Sequence, residues 1–113
     1  VEGYYKKPAD FDFGTGDFTI ECWFYYDQAT APQYSTIFDR GSGAGNGFSP
    51  FWLAVLDDSG LKLVATCGTG GSNTNVISHY NLATITNNTW HHVALTRHGN
   101  NFYIYLDGVS LAG

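Results

Sequence analysis

An all-β domain, either a sandwich or a barrel, is the fold class this sequence predicts, and three observations carry the prediction. Apolar and polar residues alternate along most of the chain, and no stretch shows sustained apolar spacing at i, i+3, i+4 and i+7. Turn signals recur at intervals of about ten residues, with no helical pattern between them. Hydrophobic residues make up 43% of the chain and aromatics 17%, which is ample for a packed core.

Taken in order, "DFTIECWFYYD" puts Phe18, Ile20, Cys22, Phe24 and Tyr26 on one face of a strand. Thr19, Glu21, Trp23 and Tyr25 fall on the other, because strand side chains alternate sides. "YSTIFDR" (34–40) and "FWLAVLD" (51–57) read as further strands. "DDSG" (57–60) is a tight turn into "LKLVATC", where Leu61, Leu63, Ala65 and Cys67 share a face. "GTGGSNTN" (68–75) is loop-like and leads into a short strand, "VISHY" (76–80). "ITNNTWHHVALTR" follows, and "HGNN" turns the chain into "FYIYL". Asp107-Gly108 is a type I′ hairpin signal, since both central residues of that turn need positive φ, and "VSLAG" begins the returning strand.

Bulk properties narrow the function classes. A chain of 113 residues is one domain, able to bury roughly 60–70% of its unfolded surface. Net charge is −5, and no basic cluster exists beyond Lys6-Lys7, so nucleic acid is excluded as a partner. Residues 63–96 lack Asp, Glu, Lys and Arg, but are rich in Gly, Asn, Thr and Ser, which excludes membrane insertion. Charged residues are only 13%, a composition that suits turn-rich β-proteins outside the cytosol. Cys22 and Cys67 are too few for a disulfide framework and too far apart for a CxxC motif. Two buried thiols are expected, with a single bridge as the alternative.

Adjacent His91 and His92 raise the question of metal or proton-transfer chemistry. On a strand, consecutive rings leave opposite faces, so the two cannot converge on one ion. Trp90, His92, Ala94 and Thr96 make one face, and His91, Val93, Leu95 and Arg97 the other. His92 is expected to be a hydrogen-bonded structural histidine. Other catalytic signatures are missing. "GFSPF" (47–51) lacks the final glycine of a G-x-S-x-G elbow. "GSGAGNG" (41–47) lacks the Gly-Lys-Ser/Thr ending of a phosphate loop and reads as a flexible loop.

Together, "FDFGTGDFTIECWF" (11–24) and "NTWHHVALTRHGNNFYIYLDGV" (88–109) resemble the laminin-G-like branch of the concanavalin A-like lectin/glucanase superfamily. Pentraxin-like modules and domains of phage fibre, tail and capsid-surface proteins belong to that branch. The matching positions are Asp17 to Trp23, Ile37 to Gly41, Trp90 to Arg97 and Asp107-Gly108. The resemblance implies an antiparallel two-sheet jelly-roll sandwich over residues 1–113, and makes His92 the histidine of the W-x-H-V-A strand. Relatives usually carry a lead-in strand before the position of Val1 and further strands beyond the DG hairpin. It follows that residues 1–113 are expected to be truncated at both ends relative to the family, or completed by neighbouring chains. An unpaired edge strand invites association.

Glucanase relatives use E-x-D-x-x-E on one strand, placing acid and nucleophile on the same face. Here the only glutamates are Glu2 and Glu21, and neither begins such a motif, so no enzyme activity is expected. Relatives also hold Ca²⁺ at the rim with Asp, Asn and carbonyl oxygens. Asp39, Asp57 and Asp58 could contribute, but Asp57-Asp58 is better explained as turn chemistry and no ligand set aligns with that pattern. No metal or other cofactor is therefore expected, Ca²⁺ being the alternative. Asn87-Asn88-Thr89 fits a glycosylation sequon, which matters only in a eukaryotic secretory pathway.

Recognition is the remaining class. Lectin-like sandwiches stack aromatic rings on the apolar faces of sugars and bond their hydroxyls with Asn or Asp. Candidate ligand-binding residues are Asn46, Phe48 and Trp52 in 41–52, and Asn73 and Asn75 in 68–75, although such aromatics also fill cores. "DQATAPQY" (27–34) is a third candidate loop, ending in Tyr34. Eight tyrosines, including Tyr103 and Tyr105 on one polar-tipped face, favour interfaces. The sequence thus predicts a non-catalytic recognition or adhesion module on an extracellular or virion surface, with a surface glycan as partner. The alternative is a purely structural virion or assembly domain that packs on neighbouring protein subunits.

Overall fold

A computed structural model describes residues 16–39, 51–68 and 75–112, with the side chains of 51, 67, 68, 75–81 and 112 excepted. The described residues form eight strands: β1 (Phe18–Tyr25), β2 (Tyr34–Asp39), β3 (Phe51–Asp57), β4 (Leu61–Gly68), β5 (Asn75–Thr84), β6 (Trp90–His98), β7 (Asn101–Leu106) and β8 (Val109–Ala112). No helix occurs among the described residues. Every pairing is antiparallel, and the strands form two four-stranded sheets, ordered β1-β6-β7-β8 and β2-β3-β4-β5.

The period-2 pattern explains why the sheets face each other. Along β1, burial alternates residue by residue, with Phe18, Ile20, Cys22 and Phe24 turned inward. Tyr26, Val93, Leu95, Ile104 and Leu106 on or beside the first sheet meet Leu53, Val55, Leu61, Leu63, Ala65 and Ile85 on or beside the second in one core. Leu63 and Ile104 are among the largest fully buried side chains. Removing such area from water contributes about 25 cal/mol per Å², which is the main force holding the sheets together.

β3 and β4 carry apolar residues on their outer faces too. Ala54, Leu56 and Val64 are buried in a second cluster against which Trp52 packs. The near-continuous apolar run of β3 is the sequence counterpart of burial on both faces. One expected strand also proves longer: β5 has ten residues, continuing from the "VISHY" segment through Thr84. Its register with β4 shifts between Leu63 and Ala65, which face Ala83 and His79 respectively. Extra residues on the β5 side make this a bulge, and a bulge interrupts the alternation by which a strand is read.

Turns follow their expected chemistry. Asp107 and Gly108 both have positive φ, 50° and 80°, as a type I′ turn demands. In the turn between β6 and β7, Gly99 supplies the positive φ, 59°. Cys22 is an unbridged thiol, and burial raises its pKa, keeping it protonated.

Candidate functional site

Two histidines that are neighbours in sequence end up in different environments, and the difference locates the site. His91 points inward and is only 6% exposed. Its Nδ1 lies 2.7 Å from Asp107 Oδ2, and its Nε2 lies 3.2 Å from the carbonyl oxygen of Thr86. His92 points outward, with Nε2 3.1 Å from Glu21 Oε2. A carboxylate only accepts, so His92 donates Nε2–H to Glu21. The expectation of opposite faces therefore holds, and His92 is hydrogen-bonded as expected. The buried structural histidine, however, is His91, because the inward phase of β6 falls on 91, 93 and 95.

Around His92 the solvent face of the first sheet is unusually rich in rings. Pairing of β1 with β6 sets Trp23 opposite His92 and Tyr25 opposite Trp90. Ring centroids are 5.1 Å apart in the first pair and 5.6 Å in the second, both tilted. Trp23 is 65% exposed, Trp90 62% and Tyr25 49%. On the next strand, β7 sets Tyr105 opposite Ala94 and Tyr103 opposite Thr96. Ala94 thus stands mid-sheet between Glu21 on one side and Tyr105 on the other. With only a methyl group it is low among longer neighbours, and it is itself shaded from solvent. The result is an open surface of indole and phenol rings interleaved with hydroxyl, imidazole and carboxylate groups.

Three anchors hold this surface. Asp107 Oδ1 accepts the His92 N–H at 2.8 Å, while the Asp107 N–H donates to the His92 carbonyl at 2.8 Å. Hydrogen bonds from His91 and from the His92 amide hold the Asp107 carboxyl below its ordinary pKa of 3.8. At the opposite end, Asp17 Oδ1 accepts the Gly99 N–H at 2.7 Å, tying the start of β1 to the β6–β7 turn. Near the Trp90 end, the Asn88 N–H donates to the Tyr26 carbonyl at 2.9 Å, and Asn87 Oδ1 accepts the Gln28 N–H at 2.9 Å. Asn87 of the sequon therefore fastens two loops together.

Of the residues expected to bind ligand, Trp52 alone has a described side chain, and it is on the other sheet. Asn46, Phe48 and Asn73 fall outside the described residues, as does the side chain of Asn75, whose backbone opens β5 opposite Gly68. Trp52 sits on β3 in the outer face of the second sheet, half-buried, its Nε1–H donating to Thr36 Oγ1 at 3.2 Å. Tyr34 lies beside it, with ring centroids 6.1 Å apart. Trp23 and Trp90 were not expected at a site. Alternation already turned each away from the core, but only the β1–β6 register shows that they share a surface.

Of the acids considered for calcium, Asp57 accepts Gln28 Nε2–H at 3.0 Å and Asp58 lies in the β3–β4 turn. Asp39 ends β2, opposite Trp52. Among the described residues, no three His, Cys, Asp or Glu side chains gather to hold a metal ion.

Comparison with known proteins bears on the fold. No curated protein and no solved structure matches the chain significantly. One family model, Laminin_G_3, described as the concanavalin A-like lectin/glucanases superfamily, matches residues 2–113. That match covers nearly the whole sequence and agrees with two facing antiparallel sheets. The chain belongs to the laminin-G-like family of the concanavalin A-like lectin/glucanase superfamily.

Proposed function

We propose that this domain is a non-catalytic recognition and adhesion module that binds a surface glycan on the solvent face of the β1-β6-β7-β8 sheet. The observation that carries the proposal is the joint exposure of Trp23, Tyr25 and Trp90 on one surface. They are three of the five large hydrophobic residues exposed among the described residues. Exposing that much ring surface to water is unfavourable, so a concentration of it on one face points to a ligand. The C–H faces of a pyranose stack on such rings, whose π faces carry partial negative charge. Glu21, His92, Thr19, Thr96 and Ser110 supply donors and acceptors for the sugar hydroxyls.

Several features support the non-catalytic reading. Hydrolysis of a glycosidic bond needs two carboxyl groups, roughly 5–10 Å apart, free to exchange protons with substrate. On this face Glu21 is the only acid that β1 contributes, and both oxygens of Asp107 are engaged by β6. We place the module on an extracellular or virion surface, a reading supported by its low charge and polar, turn-rich composition.

The test is a glycan array followed by calorimetry on the hits. Binding is expected, with Trp23→Ala and Trp90→Ala each weakening it at least about tenfold while the variants stay folded, since truncating exposed rings costs little stability. Silence across a broad array, together with concentration-dependent self-association lost in Trp23→Ala, would favour the assembly role instead. Loss of sugar binding in Trp52→Ala alone would move the site to the second sheet and the 41–52 segment.

A further inference from the structure

The surface described above also carries information about which glycans it takes. Resting on the glycan-binding reading, we infer that the face selects neutral oligosaccharides and rejects those carrying carboxylate or sulfate groups. The argument is one of charge and spacing. Outward-facing positions along β1, β6 and β7 are Thr19, Glu21, Trp23 and Tyr25, then Trp90, His92, Ala94 and Thr96, then Tyr103 and Tyr105. No lysine or arginine stands among them. Arg97, which ends the inward phase of β6, lies over the Phe102 ring, and its Nε–H donates to the Gly99 carbonyl.

The one Asp, Glu, Lys or Arg side chain at these outward positions is Glu21, whose carboxylate is largely exposed. A sugar stacked on Trp23 therefore lies against a carboxylate, in the field of a chain of net charge −5. An anionic glycan meets repulsion with no lysine or arginine among the described residues of this face to pair its groups, whereas a neutral one meets rings and hydrogen-bonding groups. Strands are about 4.8 Å apart, so the distance from β1 to β7 is about 10 Å. Rings at both limits, Trp23 on β1 and Tyr105 on β7, suit a short oligosaccharide lying across the strands rather than one sugar.

The experiment is calorimetry at about 20 mM salt and pH 7.5, where surface charges are weakly screened. The probes are N-acetylglucosamine oligomers, neutral β-glucan oligomers, and oligomers of matched length with alternating uronate residues. The neutral series is expected to bind at least about tenfold tighter than the uronate series. That ratio should fall in about 0.5 M salt, and should shrink several-fold in Glu21→Gln, which keeps an acceptor for His92. Equal or tighter binding of the uronate oligomers would overturn the charge inference while leaving the glycan reading intact. A ratio unchanged in Glu21→Gln would overturn the role of that carboxylate. Failure of every saccharide to bind would instead remove the glycan reading on which this inference rests.

Discussion

Asp107 occupies the tip of a hairpin, where sequence alone assigns it to turn formation, yet its side chain reaches back to two residues of β6. Its carboxylate joins the buried His91 ring and the His92 amide, so one residue sets the turn and fixes the phase of the neighbouring strand. Asp107→Asn separates these roles, since asparagine tolerates positive φ but lacks the charge. The side chain is nearly half exposed, so solvent screening reduces the loss to about 1 kcal/mol in denaturant unfolding. The sign of the pH dependence follows from the lowered pKa. The carboxylate's contribution is fully present above its ordinary value of 3.8 and disappears as pH falls through the lower folded-state value. The stability gap between wild type and Asp107→Asn should be flat at neutral pH and close below about pH 3.8. A gap that persists in strong acid would show that the carboxylate is not its source.

Among the elements, the hairpin from β7 to β8 shows how local chemistry sets register. Gly108 holds φ at 80°, and a methyl group added there would meet nothing within 4 Å. Gly108→Ala should therefore cost about 1 kcal/mol through backbone conformation alone, without a steric clash. Thermal unfolding would measure it as a drop of several degrees, and Gly108→Asn should lose less. Strands whose alternation is regular, such as β1 and β6, were legible in both extent and facing. β5 was legible only as far as Tyr80, because the bulge opposite Leu63 and Ala65 breaks the two-residue period. The outer burial of Ala54, Leu56 and Val64 was likewise hidden, since alternation assigns a single buried face to each strand. The aromatic site was half visible: each ring's direction could be read, but the pairing of Trp23 with His92 is non-local.

For the molecule as a whole, the two sheets depend on one shared core. Leu63 contributes from β4 and Ile104 from β7, both completely enclosed. Leu63→Ala should lower stability by about 3 kcal/mol through lost transfer energy and a residual cavity. Because both sheets lose the same contact, denaturation should remain one cooperative transition with an earlier midpoint. Two separate transitions, followed by tryptophan fluorescence and by circular dichroism, would mean that the sheets unfold independently.

The partnership of β1 with β6 has a consequence for how the chain is made. Glu21 and His92, neighbours on the finished surface, are 71 residues apart. A ribosome extends a chain at roughly 5–20 residues per second, so β1 waits several seconds or more before β6 emerges. During that interval Phe18, Ile20 and Phe24 lack the β6 ladder that they join in the finished sheet, and the nascent segment relies on chaperones or on its own charges to stay apart from its neighbours. Slowing translation through the β2–β5 region should therefore lower the yield of soluble protein more than slowing it through β7 and β8.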